Sequence, residues 1–271
     1  MREDTTPCKF LRSIALCAVL ALVAGRAWSQ KPQIVGQERP GTVQDWEQRI
    51  ALAEERLRAG DYKKAQDISE TLVVEMLHTI ESGPGAGPLV GQTLLVRALG
   101  AAGHDKMREA LWDWHSARAM NPKLTNADLA AYGPVGETLL KAVEEEDRSS
   151  KPDREAREAT AQQTGKRVSR PMKARGEVPL YPRALHTACT QGTVKVEAII
   201  DQEGYVNAPA PLSSPSPILT LATLEALRTW RFKPAVFQGK PVPVYYTLTL
   251  NFYTKTCRNP AATAEKAKEN G

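Results

Sequence analysis

The chain has 271 residues and a net charge of +5, with 42% hydrophobic and 25% charged residues. This length allows two domains, and this composition excludes a wholly disordered chain. The charge is uneven, because residues 30–165 carry 17 basic and 22 acidic side chains whereas residues 166–258 carry 13 basic and 5 acidic ones. The asymmetry predicts two modules with different partners.

The first 29 residues have the order of a secretory signal peptide. Three basic residues precede an apolar core at 13–25, and small residues stand at the −3 and −1 positions of a cut before Gln30. The apolar core is too short for a convincing membrane span. We therefore expect a signal peptide at 1–29 and a periplasmic protein. The alternative is an uncleaved inner-membrane anchor that leaves the rest of the chain facing the periplasm.

A leader at 30–42, rich in Pro, Gly and Gln, precedes a helical domain at 43–148. Within this domain apolar residues recur every three or four positions, which is the period of a helix with one buried face. Glycine and proline clusters separate the periodic segments. The predicted helices are 43–59, 61–81, 89–102, 105–120 and 134–147.

The first four predicted helices form two helix–turn–helix units that resemble tetratricopeptide repeats. In each unit a glycine ends the first helix and an alanine comes early in the second, namely Gly60 with Ala65 and Gly103 with Ala110. Small residues at these points let paired helices approach closely. The two glycines are 43 positions apart rather than about 34, and two units are fewer than the ~3 that such repeats need. A plain helical bundle therefore remains the alternative.

A charged linker at 149–175 is expected to join the helical domain to a C-terminal domain at 176–258, with a disordered tail at 259–271. In the C-terminal domain, apolar and polar residues alternate as in strands with one buried face. Ser216 followed by Pro217 starts a helix, and Pro234 ends it. The predicted strands are 193–200, an irregular return strand at 205–212 that contains two prolines, and a long third strand at 242–252.

The order strand, strand, helix, strand predicts a sheet in which the first strand is central. The third strand is then antiparallel to the first, and its outer edge is unprotected. This topology brings Cys257, after the third strand, next to Cys189, before the first strand. We expect these two cysteines to form a disulfide, which an oxidising compartment permits. Two unpaired thiols are the alternative.

Several short motifs occur in a fixed order along the C-terminal domain. They are Tyr181-Pro182-Arg183-Ala184, Gly192 to Val196, Asp201 to Gly204, and Trp230-Arg231-Phe232-Lys233-Pro234-Ala235. Together with their spacing, these motifs resemble the TonB C-terminal domain over about 176–253. The fold class is therefore α+β: a helical, tetratricopeptide-like domain followed by a small TonB-like domain with a three-stranded sheet packed against helices.

The resemblance implies a periplasmic protein that binds outer-membrane receptors and passes proton-motive energy to them from an inner-membrane motor. A receptor peptide would add a strand to the edge of the sheet, which is a general way of binding extended peptides. A homodimer formed through the same edge is an alternative occupant. Carried over by position, the partner-binding residues are Val178, Tyr181, Pro182, Val242, Val244, Tyr245, Tyr246, Thr247, Leu248 and Thr249.

The chain also departs from the energy-transducing members of that family. A helical domain and a charged linker stand where those members have a long proline-rich spacer. The alternative function is therefore an exported scaffold without energy coupling, in which the helices bind one partner and the basic domain binds another protein or the cell wall.

No motif for catalysis is present in the sequence. It contains no phosphate loop, dinucleotide fingerprint or Gly-x-Ser-x-Gly element. The spacing of His186 and Cys189 suits a metal, but no second pair completes a site. We expect neither an enzyme nor a cofactor or metal, and no nucleic-acid partner, because an exported protein rarely meets one.

Intact-mass measurement on soluble and membrane fractions of the native cell tests the expected export. We expect a soluble species that begins at Gln30, because the apolar core is short and the cut has small residues at both required positions. A membrane-held species that retains Met1 to Ser29 would contradict cleavage and restore the anchored alternative.

Overall fold

A computed structural model of the protein describes residues 42–78, 85–149, 168–254 and Cys257. The expected signal peptide and tail, nearly all of the leader and most of the linker lie outside these residues. Among the helices that the structure describes, none has the length and apolar character that crossing a membrane requires.

The described N-terminal residues form a layer of helices close to the predicted positions. Thr42 caps the first helix, because its hydroxyl accepts a hydrogen bond from the backbone N–H of Asp45 at 3.2 Å. One short helix was not predicted, since five residues are too few to show a helical period. The helices are α1 (Val43–Arg58), α2 (Tyr62–His78), α3 (Ala86–Ala102), α4 (Met107–Met120), α5 (Asn126–Ala130) and α6 (Pro134–Ser149).

Two glycines that look equivalent in the sequence have different roles in this layer. Gly60 ends α1 with a φ of +76°, and a side chain there would touch nothing within 4 Å. It supplies a left-handed turn. At Gly103 an added Cβ would lie 2.3 Å from the ring of Tyr62, so this glycine permits close packing against α2. Both alanines of the predicted units, Ala65 and Ala110, are fully buried. The tetratricopeptide resemblance itself stays a prediction.

The C-terminal residues form the predicted α+β arrangement. In the central sheet, β2 (Gly192–Ile200) lies between β3 (Val206–Ser213) and β7 (Val244–Phe252) and is antiparallel to both, as the sequence predicted. Register shifts interrupt the β2–β3 ladder, where β3 contains Pro209 and Pro211. The elements are β1 (Met172–Arg175), α7 (Arg183–Thr187), β2 (Gly192–Ile200), β3 (Val206–Ser213), α8 (Pro217–Thr229), β4 (Arg231–Lys233), β5 (Ala235–Phe237), β6 (Lys240–Val242) and β7 (Val244–Phe252).

Two sequence expectations need correction. The end of the expected linker, 149–175, is not a linker, because β1 pairs with β4. All four β1 residues are exposed, so no alternation revealed the strand. The expected strand 242–252 is two elements, because Val242 belongs to β6 and pairs with Ala235 of β5. Pro243, which has no N–H to donate, separates β6 from β7.

Helix α8 is shared by both parts of the molecule. It contacts β2 and β3 of the sheet as well as α2, α3 and α4 of the helical layer. The described residues accordingly all belong to one compact unit. Ser216 caps the helix by accepting a hydrogen bond from the N–H of Ile218 at 3.2 Å. Most residues of α8 are buried, so the helix has almost no exposed face. The buried residues are Ile218, Leu219, Thr220, Leu221, Ala222, Thr223, Leu224, Ala226 and Leu227.

A buried arginine joins α8 to the helical layer. The guanidinium of Arg97 on α3 donates to both oxygens of Asp113 on α4, at 2.7 and 2.9 Å, and to both oxygens of Glu225 on α8, at 2.6 and 3.2 Å. Burial alone would lower the pKa of Arg97, but the two carboxylates keep that pKa above its ordinary value. Burial alone would raise the pKa of Glu225, but Arg97 lowers it.

Arg97→Met tests the contribution of this network to stability. The substitution leaves the carboxylate of Asp113 buried without its main partner, a situation that costs about 3–5 kcal/mol. We expect a loss of that size in the free energy of unfolding, measured by chemical denaturation. Arg49→Met is the control, because it removes only partly exposed ion pairs, with Glu75 and Asp45, each worth about 1 kcal/mol or less. Equal effects of the two substitutions would contradict this account.

Candidate partner-binding edge

Strand β7 has one face in the core and one face in solvent. Leu248, Leu250 and Phe252 are buried, and they alternate with exposed Thr247, Thr249 and Asn251. The register pairs Leu248 with Val196 and Leu250 with Val194 of β2, which are also fully buried. This alternation fixes the register, because a slip by one residue would turn the apolar side chains toward water.

The outer edge of β7 is the end of the sheet. Within the described part of the chain, β7 pairs with β2 and with no second strand. In a strand, successive residues direct their backbone groups to opposite edges. Between Tyr246 and Phe252, every second residue therefore directs its N–H and C=O away from β2. Such a row of backbone donors and acceptors is a template for another strand.

The segment from Glu177 to Tyr181 is held at both ends. At one end, the N–H of Glu177 donates to the hydroxyl of Thr229 at 3.0 Å, and the indole N–H of Trp230 donates to the carbonyl of Glu177 at 2.7 Å. At the other end, the hydroxyl of Tyr181 donates to the carbonyl of Thr190 at 3.0 Å. The segment therefore has a fixed path along the surface.

Apolar side chains of this segment are exposed. Val178 is 85% exposed and Leu180 is 47% exposed. The ring of Tyr181 meets the ring of Phe252 edge to face, with centroids 5.5 Å apart, and burial raises the pKa of the Tyr181 phenol. Because Phe252 is the last residue of β7, the Tyr181 end of the segment lies at that end of the strand.

A disulfide closes the same end of the β2–β7 pair, as the sequence predicted. Cys189 precedes β2, Cys257 follows β7, and the two are bonded with their Cα atoms 5.7 Å apart. The adjacent register pair is Gly192 with Phe252. The bond ties together two points that are 68 residues apart in the chain.

The structure separates the ten predicted contact residues into groups. Val244 to Thr249 lie on β7, whereas Val242 lies on β6 and is not part of the edge strand. Leu248 points into the core, so only its backbone can meet a partner. Pro182 is buried at the start of α7. Val178 and Tyr181 lie in the anchored segment, and of the two only Tyr181 is in contact with Phe252 of β7.

Sequence reasoning missed the groups that hold the anchored segment. Thr229 and Trp230 hold Glu177 through its backbone, and Thr190 holds Tyr181 through a carbonyl. Backbone contacts of this kind leave no residue pattern in the sequence.

The face of the sheet that carries Thr247 and Thr249 is polar. Lys195 of β2 lies opposite Thr249, and Glu197 of β2 lies opposite Thr247.

The part of the chain that contains this edge matches a known protein family. Residues 177–254 match the model of the Gram-negative bacterial TonB protein C-terminal. This part of the chain is a TonB C-terminal domain. Among solved structures, the solution NMR structure of the Pseudomonas aeruginosa TonB C-terminal domain is 29% identical. The match covers 34% of this chain and 90% of that one, with a TM-score of 0.29. No curated protein matches the chain.

Across the residues that the structure describes, no three His, Cys, Asp or Glu side chains are grouped to hold a metal.

Substitution of either cysteine tests the covalent closure of the TonB C-terminal domain. Closing a loop of this length is worth about 4.4 kcal/mol in the chain-entropy model. We expect Cys257→Ser and Cys189→Ser each to lower the free energy of unfolding by that amount under oxidising conditions. The double variant should lose no more than either single one, because both remove the same bond. Additive losses would show that the cysteines contribute separately.

Proposed function

We propose that the outer edge of β7 binds an extended peptide from an outer-membrane receptor as a fourth strand of the sheet. The observation that carries the proposal is the edge strand itself. Its seven residues from Tyr246 to Phe252 pair with β2 in an uninterrupted register, and no described strand lies on the other side. The family match supports it, because TonB C-terminal domains are protein-interaction domains. The interaction takes place in the periplasm.

The backbone supplies the affinity in this proposal, and the side chains supply the choice of peptide. Alternate residues of an added strand lie beside Thr247 and Thr249 on the polar face of the sheet. In the segment that ends at Tyr181, Val178 and Leu180 offer an apolar contact whose burial favours binding. We therefore expect a peptide with alternating polar residues and an apolar residue at the end that lies near Tyr181.

The held segment also limits the cost of binding. Glu177 and Tyr181 are already fixed by hydrogen bonds, so the apolar contact needs little further ordering of the chain. Groups that are ordered before binding add to affinity because less entropy is lost. The disulfide has the same effect at the end of β7.

Hydrogen exchange with peptides tests strand addition directly. Synthetic peptides that tile the periplasmic N-terminal segments of the bacterium's outer-membrane receptors are added to the purified protein. We expect amide protons at every second position between Tyr246 and Phe252 to exchange fast in the free protein and slowly with a bound peptide. The intervening amides, which face β2, should be slow in both states.

The control is the same peptide methylated on alternate backbone nitrogens. Methylation of the positions that face β7 removes the donors and should abolish binding, whereas methylation of the other positions should leave it intact. If the alternate amide protons still exchange fast in the presence of every peptide, receptor binding at this edge is refuted. Amides that are already slow in the free protein, and that become fast on dilution, would instead identify a homodimer.

Val178→Ser with Leu180→Ser tests the apolar contact. We expect weaker peptide binding, by about tenfold, with an unchanged thermal midpoint because both side chains are exposed. Val236→Ser is the matched control, because Val236 is exposed on β5. Equal affinity of all three proteins for the peptide would exclude the segment from the site.

A further inference from the structure

The short strands β1, β4, β5 and β6 form a basic surface. Strand β1 pairs with β4, the backbone N–H of Ser169 donates to the carbonyl of Val236 at 2.9 Å, and β5 pairs with β6. Residues 168–176 and 230–242 are therefore joined in one set of paired strands, which we call the basic ladder. It contains no acidic residue, and its basic residues are Arg170, Lys173, Arg175, Arg231, Lys233 and Lys240.

The charges of the basic ladder are not balanced by carboxylates. None of its basic side chains forms an ion pair with a carboxylate in the part of the chain that the structure describes. Arg175 lies directly opposite Arg231 in the register of β1 and β4. Like charges in such cross-strand positions destabilise a pair of strands, so an anionic partner would relieve a repulsion that is built into the ladder.

Aromatic rings hold two of these cations in place. The Nζ of Lys173 lies 3.2 Å from the ring centroid of Trp230, and the guanidinium carbon of Arg231 lies 3.7 Å from that of Tyr205. The same tyrosine ring also holds Arg108 of α4, at 3.8 Å. A contact of this kind orients a cation and leaves its charge in place. The cations are therefore positioned before a partner arrives, which lowers the entropy lost on binding.

Strand β1 is open to solvent on both of its faces. Successive side chains of a strand point to opposite faces, yet every residue from Met172 to Arg175 is exposed. No other layer of the described residues therefore covers β1, and the strand can touch a flat surface.

Exposed apolar side chains lie among the cations of the basic ladder. Met172 is 59% exposed and pairs with Lys233, and Val236 is 37% exposed. A phospholipid surface accommodates both kinds of side chain, because its anionic headgroups attract Lys and Arg while its acyl chains take up apolar groups. A wall polysaccharide is also anionic, but it has no apolar layer that could receive Met172.

We propose that the basic ladder binds the surface of a membrane that contains anionic phospholipids. Its lysines and arginines contact the phosphate groups, and Met172 enters the layer of acyl chains. The ladder contains no residue of β7, so lipid binding and peptide binding can fail independently of each other. Phe232 of the ladder meets Tyr246 of β7 with ring centroids 6.0 Å apart, so contact with lipid also brings the peptide-binding edge close to the membrane.

Sedimentation with lipid vesicles tests the proposal. The purified protein is mixed with vesicles of phosphatidylcholine, and with vesicles in which phosphatidylglycerol replaces half of the phosphatidylcholine. We expect saturable binding to the anionic vesicles alone. This binding should weaken as the salt concentration rises, because salt screens exposed charges. Equal binding to both kinds of vesicle, or binding to neither, overturns the proposal.

Arg175→Gln with Lys233→Gln is the decisive variant. Both side chains are exposed, and we expect their loss to lower the affinity for anionic vesicles about tenfold or more. Lys64→Gln with Lys123→Gln is the matched control, because it removes the same charge from exposed lysines outside the ladder. Circular dichroism confirms that both variants fold. Equal affinities of the two variants for anionic vesicles overturn the proposal.

Met172→Ser distinguishes a lipid surface from other anionic partners. We expect this variant to bind anionic vesicles about threefold more weakly or worse, because it removes the apolar group that enters the acyl layer. An unchanged affinity would contradict that contact. Binding to cell-wall sacculi purified from the bacterium, with no binding to vesicles, would identify a wall polymer as the partner and overturn the proposal.

Discussion

The guanidinium of Arg97 is the point on which the arrangement of the molecule depends. A charge buried this deeply is tolerated only when carboxylates surround it, and here they come from α4 and α8. The hydrogen bonds to Asp113 and Glu225 therefore fix three helices relative to one another. Since α8 also contacts β2 and β3, the same network helps to position the sheet against the helical layer, together with the direct contact between α4 and β3.

Much of the C-terminal fold follows from local sequence. Alternation over nine residues identifies β2 and β7, and Ser216 with Pro217 marks the start of α8 as capping chemistry requires. The order of these elements was enough to predict the sheet and the pairing of Cys189 with Cys257. The short strands β1, β5 and β6 were not predictable, because three or four residues with little burial carry no period.

The candidate edge was predictable for the same reason as the sheet, since the end strand of a three-stranded sheet has one free side. The contacts that surround this edge were not predictable from the sequence. Whether Glu177 is held by Trp230 depends on a backbone carbonyl, and the stacking of Arg108 and Arg231 on Tyr205 joins residues from separate layers. One sign of the contact between layers was visible: Arg97 is the single charged residue in the apolar helix α3.

The position of α8 has a thermodynamic consequence. A helix buried on two sides belongs to the core of both layers, so loss of the helical layer would expose apolar surface of α8 to water. We therefore expect the TonB C-terminal domain to share stability with the helices that precede it, because both bury surface against α8. The family match begins at residue 177, so this border of sequence similarity falls inside the compact unit to which the described residues belong.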